Sequence, residues 1–333
     1  MIYKNILEEP IEITGLAVAE GDKFFRLPEY LIDKVNDGVT GLAKHTAGGC
    51  VRFATDSASV ELKVTLRNTG VMNHMPLSGQ SGVDVYFDGL FVTTVRPGGV
   101  ANADYSGVVA RPVVLEAGVH QIEMFLPLYN GITAMEVGVE DTAQFLAPAP
   151  HKVPKPIGFY GSSITQGGCA SKPGNSFNAM LCRWVDAAQI NLGFSGSGRG
   201  EENMAEYIAS LDMSVFILDY DHNAPSVEHL QNTHKRFFQI IREKQPDLPI
   251  IIVTKPDFDS NPTVNAQRRS VIFETYADAV KNGDKKVWFV DGETLFGHHD
   301  RRACTVDGCH PNDLGFYRMA ETILPFLKEA LNS

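Results

Sequence analysis

Four short stretches carry side chains able to act together on a carbonyl carbon. The first is Gly161-Ser162-Ser163-Ile164-Thr165-Gln166-Gly167. A serine hydroxyl on a glycine-flanked turn before a helix stands exposed, and a helix N-terminus favours negative charge developing beside it. The last is Thr305-Val306-Asp307-Gly308-Cys309-His310. Here a carboxylate three residues before a histidine can take the Nδ1–H, fix the tautomer and leave Nε2 as a base. Between them lie Asn191-Leu192-Gly193-Phe194-Ser195-Gly196-Ser197-Gly198 and Asp219-Tyr220-Asp221-His222-Asn223. Small residues in the former let backbone N–H groups approach a ligand. An asparagine in the latter can donate its amide to an oxyanion. Taken singly, each stretch also reads as ordinary turn chemistry. Ser162, Ser195 and Ser197 remain rival nucleophiles, although neither Ser195 nor Ser197 sits in a Gly-x-Ser-x-Gly elbow.

The elements that must position these residues alternate. Short apolar runs at Ile157–Tyr160, Ile190–Gly193, Val215–Leu218, Ile250–Val253 and Val287–Val290 read as strands. Helical patterns over Phe177–Ala188, Glu201–Ser210, Val227–Glu243, Gln267–Lys281 and Asp313–Leu331 separate or follow them. Five such strands predict a doubly wound, five-stranded parallel α/β sheet. In such sheets the site lies beyond the carboxyl ends of the strands, where all four stretches fall.

Residues 1–147 read differently. Val60-Glu61-Leu62-Lys63-Val64-Thr65-Leu66 alternates with period two, and Val83–Phe87, Phe91–Val95 and Gln121–Leu126 are further strands. Asp88-Gly89 is a hairpin signal and Glu116-Ala117-Gly118 a turn. The pattern predicts an all-β sandwich. Residues 148–156, with prolines at 148, 150, 154 and 156, predict an extended linker to a second domain over 157–333.

Composition narrows the partners. The 333 residues carry 29 Lys and Arg against 40 Asp and Glu, a formal net charge of −11. With most of the acidity in the front domain and no basic run, nucleic acid and anionic membranes are unexpected. No apolar run approaches the roughly 20 residues of a membrane span. Five scattered cysteines and no leader pattern at the first residues point to free thiols and a cytoplasmic protein. No set of residues has metal-ligand spacing, His298-His299-Asp300 included, so neither metal nor cofactor is expected. A homo-oligomer is left open.

Ser163, Gly196, Asn223 and Asp307-x-x-His310 occur in order after strands one, two, three and five. In this the chain resembles the SGNH hydrolases, also called GDSL esterases, over about residues 155–331. Gly161-Ser162-Ser163-Ile164 stands where the family has Gly-Asp-Ser-Ile/Leu, and Asp221-His222-Asn223 stands where it has Gly-x-Asn. Gly82-Val83-Asp84-Val85-Tyr86 is similar to a Gly-x-Asp-Leu-Tyr segment of β domains that precede some of these esterases. The resemblance implies a flavodoxin-like α/β sheet behind a jelly-roll front domain. It implies Ser163 as nucleophile, His310 as base, Asp307 as its orienting group, and an oxyanion hole of the Ser163 and Gly196 N–H groups with the Asn223 amide. Ser162 and Asp221 replace the family's Asp and Gly. With His222 and Arg199, they are the candidate substrate contacts.

The expected activity is hydrolysis of short acyl esters, acetyl foremost, on a small acylated molecule such as an oligosaccharide. A short-chain thioesterase or lysophospholipase is the nearest alternative. A flavin or nucleotide binder would need a Gly-x-Gly-x-x-Gly that Gly193–Gly200 does not spell. A non-catalytic carbohydrate binder would not need Ser163, Asp307 and His310 intact. Tyr86, Tyr105 and Tyr129 are the front domain's candidate sugar platforms.

Overall fold

The computed structural model describes residues 1–333, the side chain of Phe258 excepted. The C-terminal sheet has five parallel strands in the spatial order Ala187–Gly193, Val153–Gly161, Val215–Asp219, Ile250–Val253, Val287–Val290. Val215–Asp219 and Ile250–Val253 are buried at every position, as strands covered on both faces must be. Alternate side chains feed two cores. Tyr160, Phe216, Leu218, Ile250 and Ile252 pack with Phe237 and Ile241 on one face. Phe159, Ile217, Ile251 and Val253 pack with Phe177, Phe316 and Ile323 on the other. The chain reverses its lateral direction at Val153–Gly161, whose neighbours are the second and third strands. In open α/β sheets ligands bind beyond the carboxyl ends of the strands at such a switch point, and here Ser162 and Ser163 follow that strand end.

Several boundaries move from those expected. The first strand begins at Val153, although Pro154 and Pro156 argue against it. The prolines lie where pairing with Ala187–Gly193 breaks register between Val153 and Ile157, so no ladder needs their missing N–H groups. The segment before it is extended and held: Ala149 accepts from Arg52 Nη2, and its N–H donates to Gln121 Oε1. The helix expected from Gln267 starts at Pro262, set by Asn261, whose side chain accepts from the Val264 N–H. The helix expected to reach Ala188 ends at Val185, because Asp186 turns into the left-handed region.

The front domain has two antiparallel sheets. One orders Ile2–Asn5, Ile132–Val139, Ser59–Leu66, Asp104–Ala110; the other Glu12–Thr14, Cys50–Thr55, His120–Phe125, Val83–Phe87, Leu90–Val95. Both sheets supply one core, including Val60, Leu62, Val64, Phe53, Val85, Phe87 and Met124. The alternation over Ser59–Leu66 is that of a strand with one face buried. Asp88 and Gly89, both at positive φ, join two strands as a hairpin.

The Gly82–Tyr86 stretch fastens the two domains. Asp84 is buried, accepting from Thr94 Oγ1 at 2.6 Å and, across the interface, from the Gly174 N–H at 2.7 Å. Burial pushes its carboxyl up to about 6, against those two hydrogen bonds. The Arg183 guanidinium lies 4.9 Å from the centre of the Tyr86 ring. Arg26 makes a second tie. Fully buried, it donates to His45 O, Leu42 O, Asn191 O and Gly193 O at 2.6–3.1 Å and lies 4.6 Å from the Phe194 ring centre. Among the described residues no helix is long and apolar enough to cross a membrane.

Candidate active site

The strand Val153–Gly161 delivers Ser162 and Ser163 into a short helix, Ser163–Gln166. Gly161 is required there, because a Cβ would stand 2.1 Å from Thr165 Oγ1 and 2.4 Å from Asp219 O. Ser162 is the N-cap: its Oγ accepts from the Ile164 N–H, and its own N–H donates to Thr165 Oγ1. At 1% exposure its side chain faces the turn, which corrects its reading as a substrate contact. Ser163 occupies the first helical position, where its N–H has no acceptor within the helix.

Ser163 Oγ lies 3.0 Å from His310 Nε2, and His310 Nδ1 lies 2.7 Å from Asp307 Oδ2. The other Asp307 oxygen accepts from the backbone N–H groups of His310 and Cys309, at 2.7 and 2.9 Å. Gly308 at φ +86 makes the turn that brings these donors round. The loop closes as Val306 N–H donates to His310 O, and the helix Asp313–Leu331, capped by Asn312, anchors it behind. Burial works to raise the Asp307 carboxyl, but its bonds to His310 and Cys309 outweigh that and hold it at about 2. A hydrogen bond with Cys309 and then the Asp307 bond and charge raise His310, against the effect of burial.

Gly196 and Asn223 are brought together, in an arrangement that differs from the one expected. The Gly196 N–H donates to Asn223 Oδ1 at 3.1 Å, and Asn223 Nδ2 donates to Phe194 O at 2.8 Å and Gly198 O at 2.9 Å. The amide is threaded into the glycine-rich loop and closes it, so the two donors here face loop partners. Ser195 N–H is likewise engaged, by Gln166 Oε1.

The remaining candidates separate. Asp221 is 1% exposed, and its Oδ1 accepts from Arg268 Nε at 2.8 Å while Oδ2 accepts from the Lys255 N–H. This buried pair pins the helix Pro262–Lys281 to the third strand's end, which corrects the reading of Asp221 as a charge facing substrate. His222 Nε2 sits 3.1 Å from Asp257 Oδ1 and 3.6 Å from Cys309 Sγ. Burial disfavours its charge, but Asp257 and Cys309 raise it to about 10, so it too is an internal ion-pair partner. Arg199 is exposed beside Gly196, donating from Nε to Gly196 O, and remains open to a ligand. Tyr86, Tyr105 and Tyr129 are all at least nine-tenths buried, which removes them as stacking platforms.

Sequence reading missed the front domain's reach into the site. Tyr129 places its hydroxyl 3.4 Å from Ser163 O, and Gln166 bonds Leu128 O. The His74 ring centre is 5.4 Å from that of His310. Buried Cys169, six residues after Ser163, hydrogen-bonds Pro311 O through its backbone. All five cysteines are free.

Residues 154–328 match the GDSL-like lipase/acylhydrolase family, and residues 1–145 match the N-terminal domain of SGNH-hydrolase-type esterases. No curated protein matches the sequence. Among solved structures, a protein from Bacteroides ovatus described as a GDSL-like lipase is 29% identical, with a TM-score of 0.87 over 99% of this chain and 98% of that one. The salicylyl-acyltransferase SsfX3 of a tetracycline biosynthetic pathway is 22% identical, with a TM-score of 0.81 over 98% and 97%. A family two carbohydrate esterase from Clostridium thermocellum, solved with cellohexaose, is 17% identical, with a TM-score of 0.64 over 86% and 93%. The last two likenesses are of fold.

Proposed function

The chain belongs to the GDSL-like lipase/acylhydrolase family, and from that premise we propose that it is a serine esterase releasing short acyl groups, acetyl foremost, from a carbohydrate. The observation that carries the proposal is the unbroken line from Ser163 Oγ to His310 Nε2 at 3.0 Å and from His310 Nδ1 to Asp307 Oδ2 at 2.7 Å.

In this reading His310 Nε2 takes the Ser163 proton as Oγ attacks the ester carbonyl. A serine hydroxyl is a weak nucleophile without such a base. Asp307 holds the imidazole by Nδ1–H and stabilises the imidazolium that forms. The proton then passes to the departing sugar oxygen, leaving Ser163 acylated. A water, deprotonated by the same nitrogen, attacks the acyl-enzyme and restores Ser163. The oxyanion of each tetrahedral step takes the Ser163 N–H. For Gly196 and Asn223 to join, the Gly196 N–H must turn from Asn223 Oδ1, and Asn223 Nδ2 from Phe194 O and Gly198 O, toward substrate. One such donor is typically worth about 3 kcal/mol in the transition state.

The sugar part of the proposal draws on the paired domains and on structural likeness to carbohydrate esterases, among them an acetyl xylan esterase from Butyrivibrio proteoclasticus. Arg199, exposed at the loop that carries Gly196, is the proposed substrate contact. The test is initial-rate hydrolysis of p-nitrophenyl acetate, butyrate and octanoate by wild type and Ser163→Ala, followed by acetylated xylo- and cello-oligosaccharides. The proposal expects the highest kcat/KM on acetate, with a drop of at least about 10⁴ in the variant. Equal rates in the two proteins would remove Ser163 from the mechanism, and preference for octanoate would point to a lysophospholipase.

A further inference from the structure

His74, Cys169 and His310 come from three separate segments and two domains, and they present one ligand atom each within 4.8 Å of one another. Their chemistry, one thiol and two imidazoles, suits a borderline-soft cation with open coordination. Each imidazole is already oriented as metal-binding histidines usually are. His310 Nδ1 is bonded to the Asp307 carboxylate, and His74 Nδ1 lies 3.2 Å from Asn73 Oδ1. An outer oxygen on one ring nitrogen fixes the tautomer and turns the other outward. In both residues the nitrogen left for a ligand is therefore Nε2.

We propose that these three residues form an inhibitory Zn²⁺ site bridging the front domain and the esterase centre. Typical Zn–S and Zn–N bonds of about 2.3 and 2.0 Å place tetrahedral ligand atoms about 3.5 Å apart. The ligand atoms, already within 4.8 Å of one another, must close by at most about 1.3 Å. The Cys169 thiol loses its proton to the buffer and both imidazoles bind as neutral ligands, so atoms and charge balance without any redox step. Ser163 Oγ, 3.0 Å from His310 Nε2, or a water takes the fourth position. A second trio, Asp307, Cys309 and His310, also clusters. Occupying it through His310 Nδ1 would break the 2.7 Å Asp307–His310 hydrogen bond, whereas the His74 trio leaves that bond in place as support.

The inhibition rests on the reading of His310 as the base. Zinc on Nε2 takes the lone pair that would accept the Ser163 proton. The binding itself does not depend on that reading, and the two are separable.

The experiment is titration with Co²⁺, whose thiolate charge-transfer and tetrahedral ligand-field bands report directly on the ligands, paired with Zn²⁺ inhibition of p-nitrophenyl acetate hydrolysis. Wild type, His74→Ala, Cys169→Ser and Cys309→Ala are compared, with circular dichroism to check folding. The expected result is a saturable one-to-one site in wild type. His74→Ala weakens Co²⁺ binding and Zn²⁺ inhibition in parallel, by at least about tenfold. Cys169→Ser loses the charge-transfer band, and Cys309→Ala keeps it. If Cys169→Ser fails to fold, His74→Ala alone decides. No band in wild type, affinity unchanged in His74→Ala, or a band lost with Cys309 but kept without Cys169 each overturns the site. A wild-type protein that binds Co²⁺ as expected but hydrolyses no ester upholds the metal site and overturns the esterase reading instead.

Discussion

Replacing Arg26 with Met tests whether the front domain builds the active-site loop. The guanidinium makes four hydrogen bonds to carbonyl oxygens, two of them on Asn191 and Gly193, the strand end that leads into Phe194–Gly198. Methionine fills much of the same volume and supplies no donor. Each bond lost is worth about 1 kcal/mol net, and each carbonyl left dry costs more. Relief from burying a cation offsets part of this, since burial already lowers the Arg26 pKa to about 9. Four bonds thus give a loss of roughly 4 kcal/mol, or a fall in Tm on the order of 8 °C for a chain of this size. The loop that carries Gly196 and receives the Asn223 amide loses its anchor, and a shift of about 1 Å there costs up to about 100-fold in kcat. Thermal unfolding and kcat on p-nitrophenyl acetate are measured together. A Tm within about 1 °C of wild type with kcat unchanged would refute the reasoning, because it would mean the four bonds neither hold the interface nor shape the loop.

Asn223→Ala removes the two bonds to Phe194 O and Gly198 O and the acceptor of Gly196 N–H. It is expected to lower stability by about 3 kcal/mol as well as kcat by about 100-fold; loss of kcat at an unchanged Tm would show a purely catalytic amide. With His310 as the proposed base, esterase activity needs its imidazole neutral, and its pKa is raised chiefly by its hydrogen bond with Cys309. The acidic limb of kcat/KM is therefore expected above the ordinary histidine range, and Cys309→Ala should move it to lower pH; a limb that stays or rises contradicts this. Asp219 is buried and its pKa is pushed up by burial to about 8, while Thr165 donates to it. Because its folded pKa exceeds the unfolded one, its contribution to stability is present below about pH 4 and is lost as pH rises to about 8. Asp219→Asn should flatten that decline in pH-dependent denaturation, and an unchanged slope would contradict it.

Local patterns were legible and distant partnerships were not. Ser163, Gly196, Asn223 and Asp307-x-x-His310 stood out as a set, in order after strands one, two, three and five and in the pattern of the SGNH blocks, although each alone reads as turn chemistry. The parallel sheet was equally plain, since strands such as Ile250–Val253 are apolar throughout. Asp221 was misread because its partner, Arg268, is 47 residues away on a helix whose facing side no local pattern reveals. Arg26 and Asn191 are 165 positions apart, and His74 meets His310 only through the docking of two domains. The engagement of Asn223 with its own loop depends on backbone geometry that side-chain types do not encode. The Gly82–Tyr86 stretch was recognised as a motif, but its use of Asp84 as an interdomain acceptor emerged only with Gly174 placed against it.

The most direct test of the central claim is to trap the covalent intermediate. Wild-type protein is mixed with excess p-nitrophenyl acetate, quenched in acid within the first turnovers, digested and read by mass spectrometry. A burst of p-nitrophenol and one added acetyl group on Ser163, absent in Ser163→Ala, are expected. An acetyl group on Cys309 or Ser195 in place of Ser163, or turnover with no labelled peptide, would contradict it.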